Sequence, residues 1–268
     1  MTGFAADWLA LRAPADAKAR SAELMAHAAQ YAVNAAGDGP VRVVDLGCGS
    51  GATLRALAPL IDAPQAWTLI DADPKLLAEA ERLTAARSPA PDLSLATQCA
   101  DLTAGLPWQE PPHLVTASAL FDITSAEFVR TLAARLAADG TPLLALLTYD
   151  GAKTVDPPHG FDDEMLKLFN DHQRGEKSFG RALGPDAPAA LKRELEAVDA
   201  TVTLASSPWM LTRDSDGPLI DAMVDGWAGA AIEAAPDQEG EIVRWREAHA
   251  GAQAMQVGHA DLWARFSA

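Results

Sequence analysis

The side chains best placed to do chemistry lie in Val43-Val44-Asp45-Leu46-Gly47-Cys48-Gly49-Ser50-Gly51, where an apolar run gives way to a helical pattern. Glycines at 47, 49 and 51 permit a tight turn and let backbone N–H groups approach a ligand closely, at the start of a helix. Such a loop implies a nucleotide-like cofactor. The spacing leaves the kind of nucleotide open, because Gly47, Gly49 and Ala52 also satisfy the dinucleotide pattern G-x-G-x-x-A. Cys48 needs only to be small and neutral in that place. Further along, Asp122 follows an apolar run where it could face a reacting group, or merely precede a helix cap at Thr124. The run Asn170-Asp171-His172-Gln173-Arg174 gathers hydrogen-bonding side chains beyond a short apolar helix face. His172 can take a proton near neutrality and Arg174 suits an anion. The same five residues also read as a solvated turn. Tyr149 and His159 lie nearby in the sequence and complete the list. Cys48 and Cys99 make no disulfide framework, and no Cys/His spacing suits zinc, so no metal site is expected.

Charge narrows the partners. Lys and Arg total 21 against 37 Asp and Glu, a formal charge of -16 that repels phosphate backbones and anionic membranes. The expected partner is therefore a small molecule, with no nucleic acid and no membrane; a homodimer is compatible with this reading. With 49% apolar and 22% charged residues in 268, the chain has enough material for one large folded domain. Met-Thr-Gly-Phe-Ala-Ala-Asp-Trp has an early acid and no basic leader before an apolar core, so it does not read as a secretory signal. The most apolar strand-like run, Leu143 to Leu147, is far shorter than the roughly 18 residues of a membrane span. A reducing cytoplasm fits the cysteine usage.

The elements that must position these residues alternate from 41 to 148. Val41–Leu46, Trp67–Ile70, Leu93–Ala96, Leu114–Ala117 and Pro142–Thr148 read as buried strands. Helices between them are marked by Leu54, Leu57 and Ile61, by Leu76, Leu77, Ala80 and Leu83 after Pro74, and by Phe128, Leu132 and Leu136. The last has a capping box at Thr124 and Glu127 and a stop at Gly140. This alternation predicts an α/β, Rossmann-like, mostly parallel seven-stranded sheet with helices on both faces and an added helical cover. The single domain spans 1–268, with its core in 36–150 and 200–268 and its cover from 1–35, 150–190 and 216–255. Residues 150–190, rich in Pro, Gly and charge, are expected to form a mobile roof over the site. Trp8, Trp209 and Trp227 are expected in the core.

On these motifs the chain resembles the class I S-adenosylmethionine-dependent methyltransferases. Asp45, Gly47, Gly49 and Gly51 match the family's acid two positions before a G-x-G-x-G loop. Asp71, in Leu-Ile-Asp-Ala-Asp-Pro, matches the acid that ends the second strand and holds both ribose hydroxyls; Asp73 beside it reads as a helix cap. Asp101 matches the acid near the adenine amino group, with Leu102 as a wall for the ring. Cys48, Ala72 and Ser118 complete the cofactor positions implied by the resemblance. It covers about residues 41–148. His113 stands where the family often has an acid, and Ser118-Ala119-Leu120-Phe121 lacks the Asn/Asp-Pro-Pro-aromatic motif of amide and base N-methylating relatives. The resemblance implies methyl transfer from S-adenosyl-L-methionine to a small molecule, with Asp122, His172 and Arg174 as catalytic candidates. An NAD(P)-binding oxidoreductase and a non-catalytic S-adenosylmethionine-binding partner protein are the alternatives.

Overall fold

Residues 6–267 are described by the computed structural model. Valine-rich β1 (Val41–Leu46) runs at the centre of the sheet, buried at every position but Arg42, because both of its faces are covered. Parallel to it lie β2 (Gln65–Asp71) on one side and β4 (Leu114–Ser118) on the other; β3 (Leu93–Cys99) extends the first side and β5 (Leu143–Asp156) the second. Strand order thus reverses between β1 and β4, which opens a crevice at their carboxyl ends. Antiparallel β10 (Ala254–Arg265) lies between β5 and β8 (Thr201–Ser206).

The sheet has eight strands rather than the expected seven. The additional one, β9 (Trp209–Thr212), pairs with the first residues of β10. It finds a partner there because β5 and β10 run on beyond the parallel sheet, with Lys153 opposite Val257 and Asp156 opposite Ala254.

Two helical layers cover the sheet. Beneath one face, α2 (Ala22–Ala36), α3 (Ala52–Leu57) and α4 (Pro74–Arg87) bury Leu24, Ala28, Leu54 and Leu77 against Val43, Trp67 and Leu69. Against the other, α5 (Ala126–Asp139) and α7 (Ala187–Glu196) bury Leu132, Leu136 and Leu191 against Val44, Ile70 and Val115. Asp73 caps α4 by accepting the Lys75 N–H at 2.8 Å. The cap of α5 is Ser125, not the expected Thr124: Ser125 Oγ accepts the Phe128 N–H, while the Thr124 hydroxyl donates to the Phe121 carbonyl and closes a 3-10 turn at Phe121–Ile123.

A third core forms the cover. It joins α1 (Ala6–Ala19), α6 (Asp162–Gln173), α8 (Arg213–Ala234) and α9 (Glu239–Ala248) to β9 and the overhanging ends of β5 and β10. Trp209 and Trp227 are buried in it and Trp8 packs against it. Residues 1–5 of the expected N-terminal helical stretch lie outside the described residues. Segment 150–190, expected as a mobile roof, holds the end of β5, then α6, then a hairpin of β6 (Glu176–Lys177) and β7 (Gly180–Arg181). Helix α6 forms because Asp162, Asp163 and Glu164 complement its N-terminal dipole and Met165 and Leu168 are buried in the cover core. Inside the cover, Lys153 Nζ has no hydrogen-bond partner and stands 3.3 Å from the Trp227 ring centroid and 5.1 Å from that of Trp245. Burial pulls its ammonium down to about 7, against the opposing charge of Asp162.

Candidate functional site

The carboxyl end of β1 turns sharply because Gly47 and Gly49 adopt φ of 59° and 53°, left-handed values that side-chain-bearing residues rarely take. A Cβ at Gly47 would also come within 2.9 Å of Leu120 Cδ1, so the turn after β4 packs directly on the loop. The loop is tied to the end of β2. Cys48 N–H donates to the Ile70 carbonyl at 3.0 Å, Gly49 N–H donates to Asp71 Oδ2 at 2.8 Å, and Gly51 N–H returns to the Cys48 carbonyl. Asp71 Oδ1 accepts the Asp73 N–H at 2.9 Å, which leaves each carboxylate oxygen a further lone pair for a ligand hydroxyl. Cys48 is buried, and burial with the nearby Asp45 and Asp71 pushes its thiol far up, so it is a wall of the loop and no nucleophile.

Asp45 lies beneath the loop, fully buried. The Thr116 hydroxyl donates to its Oδ1 at 2.7 Å, but its Oδ2 has no partner among the described residues. Burial pushes the carboxyl up to about 7, with Thr116 and the Arg20 charge pulling the other way. Arg20, between α1 and α2, is likewise buried with its Nε unpartnered, and feels the charges of Asp16, Asp261 and Asp45. Asp261 is occupied by the N–H groups of Ser21 and Leu147 and by the Ser207 hydroxyl. Sequence reasoning missed Arg20. It follows an Ala-rich helix and precedes a Ser cap, a place where an arginine is ordinary surface, and only the folded chain shows it buried.

At the neighbouring strand end, the Asp71 carbonyl accepts the Ala100 N–H, which sets Asp101 beside the β2 terminus. Asp101 is exposed and accepts the Thr103 N–H at 2.8 Å; the Thr103 side chain and then this N–H hold its carboxyl below the usual range. Leu102 is buried, Ala72 follows Asp71 and accepts from Cys99 Sγ, and Ser118 ends β4 half-buried. These residues, Asp45 and Gly47–Gly51 all gather at the carboxyl edge of β1–β4.

Of the catalytic candidates, Asp122 lies in the 3-10 turn after β4. The whole residue is half-buried, but its Oδ1 is sealed from solvent and unpartnered, and burial raises its carboxyl. Tyr149 at β5 donates to Asn170 Oδ1 at 2.8 Å. His172 turns toward α8 and meets Glu233 at 3.2 Å; Arg174 meets Asp186 at 2.7 Å. His159 Nδ1 accepts the Phe161 N–H at the start of α6, a structural position. Overhead, Leu9 of α1 stands 3.2 Å from where a Gly49 Cβ would lie, and the Arg12 guanidinium both pairs with Asp16 and lies 4.8 Å from the Trp209 ring centroid. Helix α1 therefore covers the loop while being anchored to the cover.

Residues 43–140, which carry β1 to α5 and the whole loop, match the model of a methyltransferase-domain family. This segment is similar to a methyltransferase domain. Its strand order is that of the class I, Rossmann-like kind, whose cofactor is S-adenosyl-L-methionine. No curated protein sequence matches the chain. Among solved structures, a methyltransferase candidate from Bacillus halodurans C-125 is 15% identical, overlaps 91% of this chain and 99% of its own, and superposes with a TM-score of 0.54. An S-adenosylmethionine-dependent methyltransferase from Thiobacillus denitrificans, bound to S-adenosyl-L-homocysteine, is 14% identical over 98% and 99% of the two chains, with a TM-score of 0.48. A cyclopropane synthase from Mycobacterium tuberculosis is 16% identical over 90% and 82%, with the same score. At such identities the first likeness shows a shared fold.

The methyltransferase loop fits the cofactor on chemical grounds. The methionine end of S-adenosylmethionine is a zwitterion, and the domain ends its buried charge string with one unpartnered carboxylate oxygen, on Asp45, and one unpartnered guanidinium nitrogen, on Arg20. Buried polar atoms without partners cost about 1–3 kcal/mol each, so a ligand that satisfies both is strongly favoured. Among the described residues no helix is long and apolar enough to cross a membrane, and no three His, Cys, Asp or Glu side chains gather as metal ligands.

Proposed function

We propose that the protein transfers the methyl group of S-adenosylmethionine to a small-molecule acceptor in the cytoplasm. The observation that carries this reading is the loop Gly47–Gly51, tied to the Asp71 carboxylate and underlain by the unpartnered Asp45 and Arg20. Asp71 accepts the two ribose hydroxyls, Asp101 and Leu102 border the adenine, and Gly47, Cys48, Gly49, Gly51 and Ala72 shape the backbone cradle. Asp45 and Arg20 take the ammonium and carboxylate of the methionine end, and Ser118 flanks the reacting edge. When bound, the cofactor supplies an electrophilic methyl group; the chain aligns an acceptor within about 3 Å and keeps water out. The cover of α1, α6, α8 and α9 supplies walls for a small acceptor, and the charge of -16 disfavours nucleic acid. Arg174 and His172 contribute from the end of α6: their ion pairs involve exposed acids and hold them by only about 0–1 kcal/mol each, so an acceptor can recruit either side chain.

Titration calorimetry with S-adenosylhomocysteine and with NAD tests the reading. It requires micromolar-range binding of the first and none of the second. Binding of NAD alone would turn the assignment to an oxidoreductase.

A further inference from the structure

We propose that Asp122 takes the proton of the acceptor, and that the acceptor therefore presents an N–H or O–H to the methyl group rather than a carboxylate or thiolate. This rests on the methyl-transfer reading and specifies its substrate class.

The placement comes first. Asp122 sits in the turn that follows β4, and the preceding Leu120 packs against Gly47, so the turn and the cofactor loop are in direct contact at the crevice between β1 and β4. Its Oδ1 is sealed from solvent and accepts nothing among the described residues, although a buried carboxylate oxygen is costly to leave unpaired. A donor that the ligand brings would satisfy this oxygen. The neighbouring groups do not replace it: burial raises the Asp122 carboxyl, its own backbone N–H and then the charges of Arg12 and Lys177 only temper that rise, and Arg12 from α1 is committed to Asp16.

The other bases near the edge are excluded one by one. Asp45 lies beneath the loop, fully buried, with Thr116 on its Oδ1. Tyr149 donates its hydroxyl to Asn170, and burial pushes its phenol up. His259 is buried against Trp209, and burial with the Arg12 charge pulls its imidazole down to about 3, so it stays neutral. His172, at the end of α6, meets Glu233 of α8 and is assigned contact with the acceptor, not the proton. Asp122 remains, and a carboxyl raised by burial is a better proton acceptor than an exposed one. In the step, the acceptor atom forms its bond to the methyl carbon with its own lone pair, and the carbon–sulfur bond breaks with its electrons passing to sulfur. The N–H or O–H proton then goes to the Asp122 carboxylate, which gives it up to water once the products have left. An anionic acceptor has no proton to give and would place like charge beside a carboxylate.

The test uses purified protein saturated with S-adenosylhomocysteine and three probes of similar shape: benzylamine, phenol and benzoate. Dissociation constants are measured by ligand-observed NMR for wild type, Asp122→Asn and Asp122→Ala. Benzylamine or phenol should bind wild type at least tenfold more tightly than benzoate, and both variants should abolish that preference. Their affinity for S-adenosylhomocysteine should stay within twofold of wild type, and their melting temperatures should be equal to or above it, as expected when an unpaired buried carboxyl is removed. Preference for benzoate, a preference that survives Asp122→Asn, or no binding of either donor probe at 10 mM overturns the proposal. Failure of wild type to bind S-adenosylhomocysteine would instead overturn the cofactor assignment, so the two failures are distinct.

Discussion

Asp45→Asn should stabilise the cofactor-free protein while weakening its hold on the cofactor. The folded carboxyl sits at about 7 against an ordinary 3.8, so at pH 7 the folded state is about 4 kcal/mol less stable than if Asp45 stayed neutral in both the folded and the unfolded chain. Asparagine is uncharged, keeps an oxygen for the Thr116 hydroxyl, and puts an unpartnered amide where Oδ2 was, at a cost of about 1–3 kcal/mol. The net gain at pH 7 is about 1–3 kcal/mol. The pH dependence is the sharper signature. A carboxyl raised in the folded state binds protons more tightly there than in the unfolded chain, so wild type loses stability as pH climbs from about 4 to about 7 and levels off above that. The variant lacks this loss, and its advantage should widen by about 2–3 kcal/mol between pH 5 and pH 8, or about 4–10 °C in melting temperature. Scanning calorimetry of both proteins at the two pH values measures it directly. A constant gap, or a variant that falls behind as pH rises, would refute the reasoning from burial. Calorimetric titration should also show S-adenosylhomocysteine bound at least tenfold more weakly by the variant.

Asp71→Ala should weaken S-adenosylmethionine and S-adenosylhomocysteine alike, by about 1.5–3 kcal/mol, the scale of hydrogen bonds to a charged group; unequal losses in calorimetry would mean that Asp71 does not hold the shared ribose. Arg20→Met should weaken S-adenosylhomocysteine at least tenfold, the scale of about 1.4 kcal/mol, yet leave 5′-methylthioadenosine, which lacks the carboxylate, within twofold. Lys153→Met should raise the melting temperature near pH 7, since an ammonium pulled down to about 7 is penalised in the folded state. Because wild-type stability rises with pH from about 7 to about 10 as the unfolded lysine also loses its proton, that gain should shrink over the same window, and a gain that grows instead would contradict the burial argument.

What could be read from the sequence was local. Asp45, the three glycines, Asp71 and Asp101 sit at strand ends whose apolar runs are short and well bounded, and the structure gathers them at one sheet edge. Caps were legible to within one residue, and Thr124 lost to Ser125 because either side chain can cap and only the preceding turn decides which one is spent. The overhang of β5 and β10 was illegible for a different reason: Gly151, Lys153 and Thr154 look like loop, and become strand only because Gln256 and Val257, far along the chain, supply their partners. Strand β9 shares that cause. Arg20 needed the whole fold, since its burial depends on α1, α2 and Asp261 meeting around it.

Isotope tracing follows the transfer of a methyl group to a small molecule. The protein is incubated with methyl-13C S-adenosylmethionine and a low-mass extract of its host cells, then protein, nucleic acid and small-molecule fractions are separated and weighed by mass spectrometry. The label should appear on a compound of the low-mass fraction, formed with S-adenosylhomocysteine and lost with Asp71→Ala. Label carried instead by protein or nucleic acid, or cofactor bound with no transfer to any fraction, would contradict the proposed function.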